Sequence, residues 1–174
     1  MKRTLILYAS THHGNTRRLA EAMAEAAGAE LCDLLHDPLP DLSGYDLIGM
    51  ASGIYYGKLH PRIPELLRQL EPRPGLRVFL AYTCGIRYRA YEKPVLELLR
   101  QKGIDCAGCY ACRGYDTFGP FGKIGGIARG RPSAEELRRG GEFLLGLTGA
   151  KARAYKETGR LYQPSCFGVL RDQK

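Results

Sequence analysis

No stretch of this 174-residue chain approaches the ~18 consecutive apolar residues that a membrane span requires, so a spanning protein is not expected. Nor does a signal-type hydrophobic region follow Met1-Lys2-Arg3, which run directly into a strand-like segment; the cytoplasm is the expected location. The 22 glycines show no Gly-X-Y period, which excludes a collagen-like chain, and there is no internal repeat or low-complexity tract. Recognised nucleic-acid motifs are also missing, so the formal charge of +8 is not read as a nucleic-acid footprint. With no secretory signal, the six cysteines are expected to be free thiols, not a disulfide framework.

What is present describes one globular domain, since 44% of the residues are hydrophobic and 25% are charged. The charge is uneven. Residues 1–87 carry 10 basic and 9 acidic side chains, whereas residues 88–174 carry 16 and 9. The excess sits in two places. One is the Gly-rich segment Arg113–Arg131, read as a long loop, where Arg113, Lys123, Arg129 and Arg131 face only Asp116. The other is a basic C-terminal extension, residues 148–174, with six basic and two acidic residues. Residues 1–147 are expected to form the folded domain.

Apolar runs at Arg3–Ala9, Ala29–Leu34, Tyr45–Ser52, Leu76–Thr83 and Ile104–Cys112 read as five strands. Several are continuously apolar, the pattern of a parallel sheet covered on both faces. Helical patterns alternate with them at Asn15–Ala27, Arg62–Leu70, Pro94–Lys102 and Ser133–Leu147. Pro94 suits a first helical turn, and Ser133 with Glu136 three residues on predicts a capping box. Regular alternation of this kind implies a doubly wound α/β sheet.

The strongest functional signal lies at the first strand-to-helix junction, TLILYAS-THHGNTRRLAEA. A buried strand ends at Ala9–Ser10, and an amphipathic helix starts near Asn15. The unpaired N–H groups at such a start, with the positive end of the helix dipole, form an anion site. Thr11, Asn15 and Thr16 add side-chain donors there, and Gly14 permits close approach. The loop lacks the Lys of a nucleotide triphosphate loop and the three glycines of a dinucleotide fingerprint, so a monophosphate fits better.

Thr11-His12-His13-Gly14-Asn15-Thr16 resembles the FMN phosphate loop of flavodoxins, Ser/Thr-x-Thr-Gly-x-Thr, with His13 in place of the middle Thr. The resemblance extends over roughly residues 3–147. It implies a flavodoxin-like five-stranded parallel sheet of order 2-1-3-4-5 with helices on both faces, and FMN as cofactor. It further implies that the turn Ser52-Gly53-Ile54-Tyr55-Tyr56-Gly57 and the turn Thr83-Cys84-Gly85, with Tyr88 beyond it, hold the flavin ring. The chain has no tryptophan, unlike many flavodoxins, so stacking on the ring falls to Tyr55, Tyr56 or Tyr88. His12 and His13 either face the phosphate or are plain exposed loop residues. A histidine facing a dianion is protonated more readily, and FMN affinity would then weaken as pH rises through neutrality. Lys58, His60 and Arg62 either border the flavin or cap the second helix, and capping is the preferred reading.

Cys106, Cys109 and Cys112 have the spacing of an iron–sulfur motif. They fall within the fifth strand, however. A period of two puts Cys106 and Cys112 on one face and Cys109 on the other, so the thiolates would not converge, and buried free cysteines are expected. No acid–base set surrounds the loops, which favours an electron-transfer protein passing electrons between a reductase and a redox partner. The alternative is an FMN-dependent oxidoreductase. Ser52–Leu66 resembles the matching turn of flavodoxin-like protoporphyrinogen oxidases, although their insertion after the fourth strand is missing, and a quinone reductase would need a second nucleotide site that is not evident. The basic surplus points to an acidic redox partner protein or an anionic small-molecule substrate.

Overall fold

The computed structural model describes residues 3–149. Five parallel strands, β1 (Thr4–Ala9), β2 (Glu30–Asp33), β3 (Leu47–Tyr55), β5 (Arg77–Cys84) and β6 (Asp105–Arg113), line up as β2-β1-β3-β5-β6. That is the order expected, with one addition: a two-residue strand, β4 (Lys58–Leu59), pairs antiparallel with the end of β3. The sheet therefore has six strands, not five. The helices are α1 (Asn15–Ala27), α2 (Arg62–Gln69), α3 (Lys93–Lys102), a short α4 (Pro120–Lys123) and α5 (Ala134–Thr148). The basic extension falls almost wholly outside the described residues.

Continuously apolar strands feed two cores. Side chains alternate in direction along each strand, so Leu5, Leu7, Ile48, Met50, Val78 and Leu80 meet Ile63 and Leu67 of α2 and Leu99 of α3 on one face. Ile6, Tyr8, Ala51, Phe79 and Ala81 meet Leu19 and Met23 of α1 and Leu144 of α5 on the other. Helices α1 and α5 approach closely because α5 carries Gly140 and Gly141 at the contact. A Cβ there would lie 2.7 Å from Leu19 Cδ1 and 2.8 Å from Ala26 Cβ. Among the described residues no helix is long and apolar enough to cross a membrane.

Three expectations are corrected. The third strand does not stop at Ser52 but continues to Tyr55, then reverses through Tyr56 and Gly57 into β4. Both reversal residues have positive φ, 50° and 74°, the pattern of a tight two-residue hairpin turn whose twist matches its strands. Residues 113–131 are not structureless: they hold the end of β6, helix α4 and an antiparallel bridge between Asp116 and Ile127.

The third correction concerns the cysteines. Cys106 pairs with Val78 and Cys109 with Leu80, because Ala107 is an extra residue bulged out of the ladder. Val78 and Leu80 point into the same core, so Cys106 and Cys109 share a face, and Cys112, packed in the other core, is the odd one out. The three thiols still straddle the sheet. Cys106 and Cys109 are also exposed on the edge strand, not buried; among the described residues Cys32, Cys84 and Cys112 are the buried ones.

Candidate functional site

Strands β1, β3 and β5 are neighbours, so their carboxyl ends bring three segments together: residues 10–16, the β3–β4 hairpin, and residues 84–91. The first has the features of a helix start that can attract an anion. Helix α1 is capped by Gly14, at φ 64°, with no side-chain hydrogen bond and no acidic residue in its first turn. His13 before it also has positive φ, 57°. Consecutive left-handed residues turn the backbone amides toward one side, and the helix start adds its own unpaired N–H groups.

Two of the loop's side-chain donors have protein partners. The Thr16 hydroxyl is buried and lies 2.9 Å from that of Thr83, which ties the start of α1 to the end of β5. The Asn15 amide donates to the carbonyl of Tyr115 at 2.7 Å. Thr11, His12 and His13 remain at the surface. Thr11 donates its backbone N–H to the Tyr55 hydroxyl at 3.0 Å. The His13 ring packs on Tyr115, centroids 4.5 Å apart, and its Nε2 lies 2.9 Å from the Thr117 hydroxyl.

In the hairpin, Ser52 is fully buried. Its hydroxyl donates to the Gly53 carbonyl at 2.6 Å and accepts the His60 N–H at 2.8 Å, which fixes the reversal. His60 Nδ1 in turn accepts the Arg62 N–H at 3.3 Å, so it caps α2. Burial lowers the His60 pKa, which keeps that nitrogen free to accept. Tyr56, at the tip, is 83% exposed and meets Phe118 edge-on at 5.0 Å.

The third segment is braced by Glu92, which accepts the Tyr82 hydroxyl at 2.7 Å and pairs with Arg87 at 3.6 Å. Burial pushes the Cys84 thiol up to about 11, so it is neutral near pH 7 and no nucleophile. Tyr88 is 70% exposed. Arg89 lies over Tyr88 and Tyr91, 5.5 and 5.4 Å from their centroids, and its guanidinium donates to the Gly57 carbonyl. One cation thus bridges the second and third segments.

The sixteen positions singled out in the sequence are therefore gathered at one end of the sheet. Tyr115, Thr117 and Phe118 carry no individual signal in the sequence, only the length and glycine content of residues 113–131, and Arg89 carries none. No group of three or more His, Cys, Asp or Glu that could hold a metal occurs among the described residues.

Known proteins share the family and the fold. A family model described as a flavodoxin domain matches residues 5–103. An uncharacterized protein from Methanocaldococcus jannaschii is 32% identical over 143 residues, covering 81% of this chain and 95% of that protein. Among solved structures, a flavoprotein in complex with FMN from Lactobacillus acidophilus is 24% identical, with 64% of this chain and 93% of that one covered and a TM-score of 0.51. Oxidised flavodoxin 2 from Bacillus cereus is 17% identical, covering 84% and 98%, with a TM-score of 0.62. Two exposed tyrosines beside an uncapped helix start, on a sheet of this order, are thus joined by a sequence match over more than half the chain: it belongs to the flavodoxin domain family.

Proposed function

We propose that this chain binds FMN and works as an electron-transfer protein between a reductase and a redox partner. The observation that carries the reading is the start of α1, which has neither a side-chain cap nor an acid in its first turn and lies beside two turns bearing exposed tyrosines. Bound FMN would supply reversible one- and two-electron chemistry. The residues fit its two ends. Backbone amides of residues 11–16 would hold the phosphate, and Tyr56 and Tyr88 are the rings available for stacking on the flavin. Arg89 fixes the spacing of the two turns through Gly57.

The partner side follows from charge. With 26 basic against 18 acidic residues, the chain is suited to an acidic redox protein. Lys58 follows the hairpin turn directly in β4, and Arg89 lies beside Tyr88 in the third segment. A second reading is an FMN-dependent oxidoreductase acting on an anionic aromatic compound. It is favoured by one feature: Tyr56 and Phe118 meet edge-on at 5.0 Å and are both exposed, as is Tyr88 beside Arg89, which offers aromatic faces and a cation to a flat acidic molecule.

Purified protein titrated with FMN tests the first claim, through quenching of flavin fluorescence. Saturable quenching is expected, and a chain that leaves FMN fluorescence unchanged overturns both readings. For the holoprotein, reduction resolved into two one-electron steps supports the carrier. Turnover of an anionic aromatic donor with a quinone acceptor supports the oxidoreductase instead. Transfer to an acidic partner should slow steeply as salt is raised from about 0.01 to 0.15 M, because screening shortens the reach of surface charge to about 8 Å. Rates flat across that range overturn the electrostatic part.

A further inference from the structure

We propose that the phosphate selectivity of this site is set by two hydroxyl groups from outside the loop, those of Tyr55 at the end of β3 and Thr117 in the β6–α5 connection. The inference rests on the FMN reading and names which residues distinguish a phosphorylated flavin from a plain one.

The loop is short of side-chain donors of its own. The Thr16 hydroxyl is buried in a pair with that of Thr83, and the Asn15 amide donates to the Tyr115 carbonyl. At position 13 a histidine replaces the threonine expected there. A phosphate dianion presents several acceptor sites at once, and beyond the backbone amides only Thr11 and the two histidines of the loop remain at the surface to meet it.

Tyr55 is placed to help. Its hydroxyl end crosses over Gly53, where a Cβ would come within 2.6 Å of the tyrosine oxygen, and that close approach carries the hydroxyl to the Thr11 N–H at 3.0 Å. In that bond the tyrosine oxygen is the acceptor, so its own proton stays available, and among the described residues no acceptor for it occurs. A group in this state meets an incoming anion as a donor. A small rotation of the ring also releases the Thr11 amide to the same anion. His60, edge-on to the ring at 5.5 Å, backs Tyr55 from behind.

Thr117 approaches from the other side of the loop. Its hydroxyl lies 2.9 Å from His13 Nε2, and the segment that carries it is pinned. Tyr115 holds the Asn15 amide, Asp116 accepts the Phe118 N–H at 2.8 Å, and Asp116 and Ile127 bridge. The segment therefore delivers a hydroxyl and an oriented imidazole to the position where the loop lacks its own threonine. Removing one hydrogen bond to a charged group costs on the order of tenfold in affinity.

The test compares FMN with riboflavin, which shares the ring and lacks the phosphate, by fluorescence quenching on the full chain and on Tyr55→Phe and Thr117→Val. Wild type should prefer FMN. Tyr55→Phe should lose about tenfold for FMN with riboflavin unchanged, and Thr117→Val should lose severalfold in the same selective way, with Thr117→Ser restoring it. Gly53→Ala, which displaces the Tyr55 ring without removing its hydroxyl, should reproduce the Tyr55→Phe loss, a check should either variant fold poorly. Equal losses for both flavins, or no loss, overturn the inference while leaving FMN binding intact. Wild type that binds neither flavin overturns the FMN reading itself.

Discussion

Helices α1 and α5 pack against each other on one face of the sheet, yet they begin in opposite ways. At α5 the Ser133 side chain accepts the Glu136 N–H, Glu136 accepts the Ser133 N–H at 2.8 Å, and Glu135 adds a second acid in the first turn. At α1 the cap is a left-handed glycine, with no side-chain hydrogen bond and no acid in the first turn. The first start is closed by its own side chains and contributes to folding. The second has a glycine cap that leaves the first-turn amides without a side-chain partner, at a cost of only about a few tenths of a kcal/mol relative to a serine cap, and these are the amides that the proposed function gives to the phosphate. Two starts on one face show how a fold separates structural from functional backbone groups: it satisfies the one and withholds partners from the other.

The contrast is broken most strongly by giving α1 the acid that α5 has. Arg17 sits three residues past Gly14, as Glu136 sits three past Ser133. Arg17→Glu should weaken FMN binding ten- to a hundredfold, about 1.4–2.8 kcal/mol, by setting a carboxylate against the phosphate, and titration of the variant with FMN reads it out. Unchanged affinity would mean that the phosphate is not at this helix start. Next in size is Thr83→Val, which leaves the buried Thr16 hydroxyl without its partner. Denaturant unfolding should show a loss of about 1–3 kcal/mol.

Ser133→Ala sharpens the comparison from the other side. It should cost about 1 kcal/mol of stability, and about 2–4 °C in Tm, with no change in the FMN dissociation constant. The smallest effect concerns the pH dependence of the cap. Burial alone would raise the Glu136 carboxyl, but the Ser133 N–H, Arg131 at 3.0 Å and the Arg113 N–H outweigh it and hold its pKa below the usual range. A depressed pKa stabilises above the unfolded value and is lost as pH falls through the folded one. The stability gap between wild type and Glu136→Gln, followed by thermal melts, should therefore be largest near pH 6 and shrink toward pH 3. A gap independent of pH would remove Glu136 from the cap's energetics.

Much of the fold was legible because its signals are local. The continuously apolar strands, the helix starts and the Ser133–Glu136 spacing each lie within a few residues, and the parallel order follows from their alternation. The loop at Thr11–Thr16 was legible for the same reason. Where local rules failed, an insertion or a distant contact was responsible. Ala107 adds one residue to β6 and so moves Cys109 to the face of Cys106, which a strict period of two cannot foresee. The turn at Tyr56-Gly57 lacks the Asn-Gly signature of a tight hairpin, so the sequence pattern alone ends the third strand at Ser52.

By itself the sequence determined which backbone groups lack partners: an apolar strand, a polar turn with glycine and a helix without a first-turn acid are properties of neighbouring residues. Only the tertiary structure decided which side chains surround those groups. Tyr55 reaches Thr11 across 44 positions and Thr117 reaches His13 across 104, contacts that exist because the sheet sets the carboxyl ends of its strands side by side. No local pattern encodes such meetings, since each partner's own neighbourhood would look the same without the other.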